Sequence, residues 1–134
     1  MDPVVHFEMP YDDRQRMMSF YNKAFGWQTQ VLGEEYGNYV MAMTAESDEC
    51  GPKKPGMING GFYGRCEEMP EAKHPTIVIA VQNIGDAMQK IRDAGGKVLG
   101  DPMPIPNVGS YVSFIDTEGN RVSVLEPVPE MKNK

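Results

Sequence analysis

The chain has 134 residues, with 13 basic and 19 acidic side chains and a net charge of −6. That length suits a single domain able to bury a core without metal or disulfide staples, and the scattered, mainly acidic charge excludes nucleic acid as a partner. No apolar run approaches the roughly 18 residues of a membrane span, so no membrane partner is expected, and the acidic start at Asp2 and Glu8 predicts no secretory leader.

Val4 to Pro10 reads as a strand with Val5, Phe7 and Met9 on one face and His6 and Glu8 on the other. Asp12 or Asp13 can cap the helix that follows, where Met17, Met18, Tyr21, Ala24 and Phe25 recur at helical spacing before Gly26. Trp27 to Leu32 is expected as a second strand, 33–38 as a turn region and Tyr39 to Thr44 as a third strand. The stretch Ala45 to Gly56 is expected as a loop and Met57 to Tyr63 as a fourth strand. Gly60 and Gly61 inside that strand point to a bulge or to a close approach by a ligand or another backbone.

Thr76 to Val81 begins the same plan again. Asn83 caps a helix carrying Ile84, Ala87, Met88, Ile91 and Ala94, and Gly95 with Gly96 closes it. Lys97 to Leu99 reads as a short strand and Asp101 to Gly109 as a proline-rich loop; Tyr111 to Ile115 and Asn120 to Glu126 form a hairpin. The eleven methionines are read as adaptable packing, with Met17, Met18 and Met88 on helices and Met41, Met43 and Met57 in strands.

The two halves also match as sequences. Gly37-Asn38-Tyr39-Val40 returns as Gly109-Ser110-Tyr111-Val112 at an offset of 72, and His6 to Gly26 overlays Thr76 to Gly96 at an offset of 70. Each half is therefore β-α-β-β-β. The expected organisation is one domain over 1–134, with a first module at about 4–64, a linker at 65–75, a second module at about 76–127 and a tail at 128–134. Function in a duplicated domain is expected where the copies meet.

The segment His6-Phe7-Glu8-Met9-Pro10, then Asp12-Asp13, Phe20-Tyr21 and Phe25-Gly26-Trp27, resembles the opening of the vicinal oxygen chelate superfamily. Ala80-Val81 with Asn83, Ala94-Gly95-Gly96, Phe114-Ile115-Asp116 and Glu118-Gly119-Asn120 resemble its closing signature. The superfamily contains glyoxalase I, bleomycin-resistance proteins, extradiol dioxygenases and methylmalonyl-CoA epimerases. The resemblance implies an α+β fold of two paired βαβββ modules, forming a curved mixed sheet around a cleft, with His6, Glu8 and Thr76 facing inward. It also implies a small-molecule ligand and a homodimer.

Metal-dependent members of that family hold a divalent ion with His, Glu or Gln from the first and last strands of each module. His6 stands at the first position, but Thr76 is its counterpart in the second module and Ser123 stands where a Glu is expected. No residue from Met57 to Tyr63 is His, Asp or Glu. One His cannot hold the ion against its own hydration, so no cofactor is expected; a displaced His6, Glu8 and His74 set is the metal-binding alternative. Without a metal, His6 and Glu8 are the candidates for proton transfer. Tyr39, Thr76, Tyr111, Arg121 and Ser123 are the candidates for lining a ligand site, with Arg121 suited to a carboxylate or carbonyl.

Cys50 and Cys66 fall in expected loops away from any His and are read as reduced thiols in a cytoplasm, and no nucleophile elbow or phosphate-binding glycine loop is present. The expected function is a glyoxalase-like small-molecule-binding protein. A metal-dependent lyase, isomerase or dioxygenase is the enzymatic alternative; a drug-sequestering protein, with Trp27 as its aromatic contact, is the third.

Overall fold

The computed structural model describes residues 1–66 and 73–129; the middle of the expected linker and the end of the expected tail lie outside the described residues. The chain separates into two compact units, His6–Pro75 on one hand and Met1–Val5 with Thr76–Lys134 on the other.

The unit His6–Pro75 contains most of strand β1 (Val4–Tyr11), helix α1 (Arg14–Phe25), β2 (Gln28–Val31), β3 (Val40–Met43), the two-residue strands β4 (Ser47–Asp48) and β5 (Gly51–Pro52), and β6 (Asn59–Gly64). Its four main strands lie in the order β2-β3-β6-β1. β1 and β6 run parallel, whereas β2 with β3 and β3 with β6 run antiparallel. Asp13, rather than Asp12, caps α1: its backbone is extended and its carboxylate accepts the Arg16 N–H at 2.9 Å. At the other end Gly26 takes φ 74°, which turns the chain so that the Trp27 N–H returns to the Tyr21 carbonyl at 3.3 Å.

The core of this unit is Val40, Ala42 and Phe62, packed beneath Phe7, Met9, Met17, Met18, Tyr21 and Trp27. Alternation along β1 places Phe7 and Met9 on the helix side, leaving His6 and Glu8 on the opposite face. Ala24 and Phe25 do not join this core. Both are exposed and lie in the last turn of α1. The stretch 45–56 is not a plain loop, since β4 and β5 pair within it. Met57 precedes β6 and, like Met43, is exposed, so neither fills a core position.

The other unit contains β7 (Thr76–Ala80), α2 (Ile84–Asp93), β8 (Lys97–Ile105), β9 (Gly109–Ile115) and β10 (Arg121–Pro127). These strands lie in the order β7-β10-β9-β8. The Ala80 N–H also donates to the Pro3 carbonyl at 2.9 Å, which ties the first residues of the chain to this unit. Asn83 caps α2 through the Asp86 N–H at 2.9 Å, and Glu126 Oε1 accepts the Ile84 N–H at 2.9 Å. Val81, Ile84, Met88, Val112 and Val124 form its core.

The proline-rich segment 101–109 differs from its expected loop. β8 continues through it to Ile105, pairing Met103 with Tyr111 and Pro104 with Ser110 after an irregularity between Leu99 and Met103. The prolines are tolerated because β8 is the outer strand of this unit, where a missing N–H on the unpaired side breaks no ladder bond. Each unit is thus a βαβββ module with one helix, and the fold is α+β with mixed strand directions.

Phe62, 1% exposed, should be a principal support of its unit. Phe62→Ala is expected to cost about 3–5 kcal/mol in urea denaturation, whereas Met57→Ala, at an exposed site, should change stability by no more than about 0.5 kcal/mol.

Candidate functional site

Within the unit His6–Pro75, the face away from α1 carries His6, Glu8, Tyr39 and Gly61. Register shows why they meet: Glu8 on β1 and Met41 on β3 both lie opposite Gly61 on β6. Tyr39, two residues before Met41, therefore projects to the same face. Its hydroxyl lies 2.9 Å from His6 Nε2. To make that bond the ring has to pass over β6, and a Cβ at Gly61 would overlap the ring and its hydroxyl. On the other face a Cβ at Gly60 would overlap the Phe7 ring. The glycine pair marks a close approach rather than a bulge, and the approaching groups are the chain's own aromatic rings.

Beside this site, Asn59 lies opposite His6 in the ladder. Its Oδ1 accepts the N–H groups of Thr44 and Ala45 at 2.9 and 3.3 Å, and its Nδ2 donates to Ser47 Oγ at 2.8 Å. The side chain so ties the root of the β4–β5 hairpin to the strand next to His6.

The other unit repeats the arrangement with different chemistry. Val78 on β7 and Ser113 on β9 lie opposite Ser123 on β10, the same register that surrounds Gly61. Here the last-strand position carries a hydroxyl, and Tyr111 stops at it, sharing a hydrogen bond with Ser123 Oγ at 2.7 Å. Ser113 Oγ lies 2.9 Å from the same atom. Ser123, Ser113 and Thr76 are buried, and Arg121, half-buried, stands two residues before Ser123. Ser113 was not among the candidates from sequence. The repeat pairs it with Met41, and a hydroxyl on a strand facing Ser123 was the available signal.

Burial lowers the pKa of His6 from 6.5 to about 4, because a charged imidazole loses hydration there. The ring is neutral at pH 7. It can share a hydrogen bond with the Tyr39 hydroxyl or with a ligand, but it brings no positive charge to the site.

The register also tests the residues against the family metal. The first- and last-strand positions hold His6 and Gly61 in one unit and Thr76 and Ser123 in the other, so the donors on offer are a single imidazole and two neutral hydroxyls. Among the described residues no three His, Cys, Asp or Glu side chains gather to hold an ion, and His74 lies in an exposed segment. This donor set does not fit a divalent ion.

A separate open recess of about 360 Å³ lies on the helix side of the unit His6–Pro75, lined among others by Tyr11, Asp12, Arg16, Phe20 and Phe62. Its carboxylates are engaged: Asp12 pairs with Arg65 at 3.1 Å, and Asp13 caps α1. Trp27 belongs to this side too, stacked on Tyr21 with centroids 4.7 Å apart, so its indole is held in the core cluster. Cys50 and Cys66 are exposed free thiols, and no helix among the described residues is long and apolar enough to cross a membrane.

Two βαβββ modules of this register define a known class, and the sequence agrees. The chain belongs to the Glyoxalase/Bleomycin resistance protein/Dioxygenase superfamily, whose model matches residues 4–124. A glyoxylase-like domain-containing protein of Didymella fabae is 28% identical over 116 residues, covering 84% of each chain. A lactoylglutathione lyase of Oryza sativa subsp. japonica is 24% identical over 139 residues, covering 98% of this chain but 46% of its own length. The crystal structure of methylmalonyl-CoA epimerase from Mycobacterium tuberculosis superposes with a TM-score of 0.65 at 11% identity, covering 98% of this chain and 91% of that one. At that identity the likeness is one of fold.

The depressed His6 pKa carries a stability consequence whose sign is fixed by linkage. Between about pH 6.5 and pH 4 the unfolded chain binds a proton at His6 that the folded chain does not, so stability rises with pH across that window. The contribution is full above pH 6.5 and is lost as pH falls to about 4, amounting to about 3 kcal/mol. Urea denaturation of the wild type and His6→Gln from pH 7 to pH 4 should show this slope in the first and lose it in the second.

Proposed function

We propose that the protein is a glyoxalase-like small-molecule-binding protein that works without the family's divalent metal. The observation that carries this reading is the engagement of His6 Nε2 by the Tyr39 hydroxyl, together with Gly61 and Ser123 at the last-strand positions. The strand face away from the helix carries an imidazole, a phenol and Glu8 in the unit His6–Pro75, and a phenol, aliphatic hydroxyls and Arg121 in the other unit. Such groups recognise a small oxygenated compound through its carbonyl, carboxylate or hydroxyl oxygens. Arg121 supplies the positive charge that a carboxylate would meet.

Proton transfer by His6 and Glu8 is a second reading, favoured by a neutral imidazole two residues from a buried carboxylate on one strand face. It would make the protein an isomerase or epimerase of a carbonyl compound, with His6 accepting the proton. A cytoplasmic homodimer belongs to the proposal as well; the dimer is carried over from the family resemblance, and the two free thiols suit a reducing compartment.

Elemental analysis of protein purified without chelator tests the proposal. The divalent metal content should be far below one ion per chain and unchanged in His6→Ala. One ion per chain, lost in that variant, would replace it with the metal-dependent lyase, isomerase or dioxygenase reading.

A further inference from the structure

The contact between Tyr39 and Gly61 goes further than a hydrogen bond. Neighbouring strands lie about 4.8 Å apart, so β3 and β1, with β6 between them, are separated by about 10 Å. The Tyr39 ring lies over the bare backbone of Gly61 and its hydroxyl ends 2.9 Å from His6 Nε2, so the Tyr39 and His6 side chains together close that distance. The place it occupies has a flat peptide floor, a hydrogen-bonding imidazole at one end and room for one six-membered ring. Its counterpart Tyr111 fills no such place, because Ser123 stops it one strand away.

We propose that Tyr39 is an intramolecular occupant of a phenol-binding site made by Gly61 and His6, and that a one-ring hydroxylated aromatic compound binds there when the Tyr39 side chain swings out. The inference rests on the reading that this strand face takes the ligand, and it names the ligand's class. The backbone of Tyr39 stays fixed during the swing: its carbonyl accepts the Leu32 N–H at 2.8 Å and its N–H donates to the Tyr36 carbonyl at 3.3 Å. Only side-chain rotation is needed, and Tyr39 lies just outside β3 and is half-buried. A tethered phenol competes at an effective concentration on the order of millimolar, so the apparent affinity of a free phenol is its intrinsic affinity multiplied by the fraction of time the site is open.

The probe is p-cresol, which reproduces the Tyr39 side chain, and the readout is the His6 imidazole followed by NMR of histidine-labelled protein. Tyr39→Ala should bind p-cresol at least about tenfold more tightly than the wild type, with saturation returning the His6 signal toward its wild-type position. Tyr39→Phe, which keeps the ring but loses the bond to His6, should bind p-cresol more tightly than the wild type and less tightly than Tyr39→Ala. Adding Gly61→Val to Tyr39→Ala should abolish binding, because the new side chain covers the floor. Should Tyr39→Ala not fold, Tyr39→Leu takes its place with the same expected direction.

Binding no tighter than in the wild type, binding without a His6 response, or binding that survives Gly61→Val overturns the inference. A non-aromatic carbonyl compound that moves His6 in the wild type, alongside failure of p-cresol in Tyr39→Ala, would remove the phenol assignment and leave the ligand-face reading standing. Silence of His6 toward both kinds of compound would remove both.

Discussion

A phenol can reach across a neighbouring strand only where that strand carries no side chain at the crossing. Gly61 meets this condition, and the rest of the candidate site depends on it. With any other residue there, the Tyr39 ring would lift off the strand and its hydroxyl would leave His6. Gly60 plays the matching part on the opposite face, where the Phe7 ring occupies the volume a side chain would take. Two adjacent glycines thereby set both faces of β6: one seals the aromatic core under α1, the other decides what His6 touches. The conformational entropy that glycine costs within a strand is offset by the packing of these two rings.

The comparison of the two modules shows how duplication allows divergence without a change of scaffold. Both units place a tyrosine two residues ahead of the position opposite the last-strand site, and both surround that site with the same register. In one unit the site is Gly61 and the tyrosine reaches an imidazole; in the other it is Ser123 and the tyrosine joins a chain of buried hydroxyls. Gly61 against Ser123, with His6 against Thr76 and Met41 against Ser113, thus separates two kinds of chemistry. Neither is the carboxylate that a divalent ion would need, and the superfamily to which the chain belongs houses enough different activities that the site, rather than the fold, has to carry the functional argument.

Burial gives the site its electrostatic character. His6 sits where a charged imidazole is disfavoured, so it is neutral at pH 7 and its bond to Tyr39 is one between uncharged groups. Such a bond contributes modestly to stability, on the order of 1 kcal/mol, which suits an interaction that a ligand has to replace. The hydroxyl chain around Ser123 is more deeply enclosed. Its members satisfy one another, as buried polar groups must.

The sequence by itself determined the two βαβββ modules, the caps at Asn83 and Gly26, the face of β1 that carries His6, and the correspondence between Tyr39 and Tyr111. These are local properties: alternation, helical spacing and turn chemistry act over a few residues. Only the tertiary structure decided that Gly61 rather than Gly60 shares the face of His6, that Ser113 joins Ser123, that 101–105 is strand despite its prolines, and that Ala24 and Phe25 stay outside the core. Each of these depends on register or neighbours between segments far apart in the chain. A slip of one residue in β6 would have exchanged the two glycines between faces. Periodicity within an element gives the parity of its side chains; the partner that each side chain meets is fixed by packing across strands.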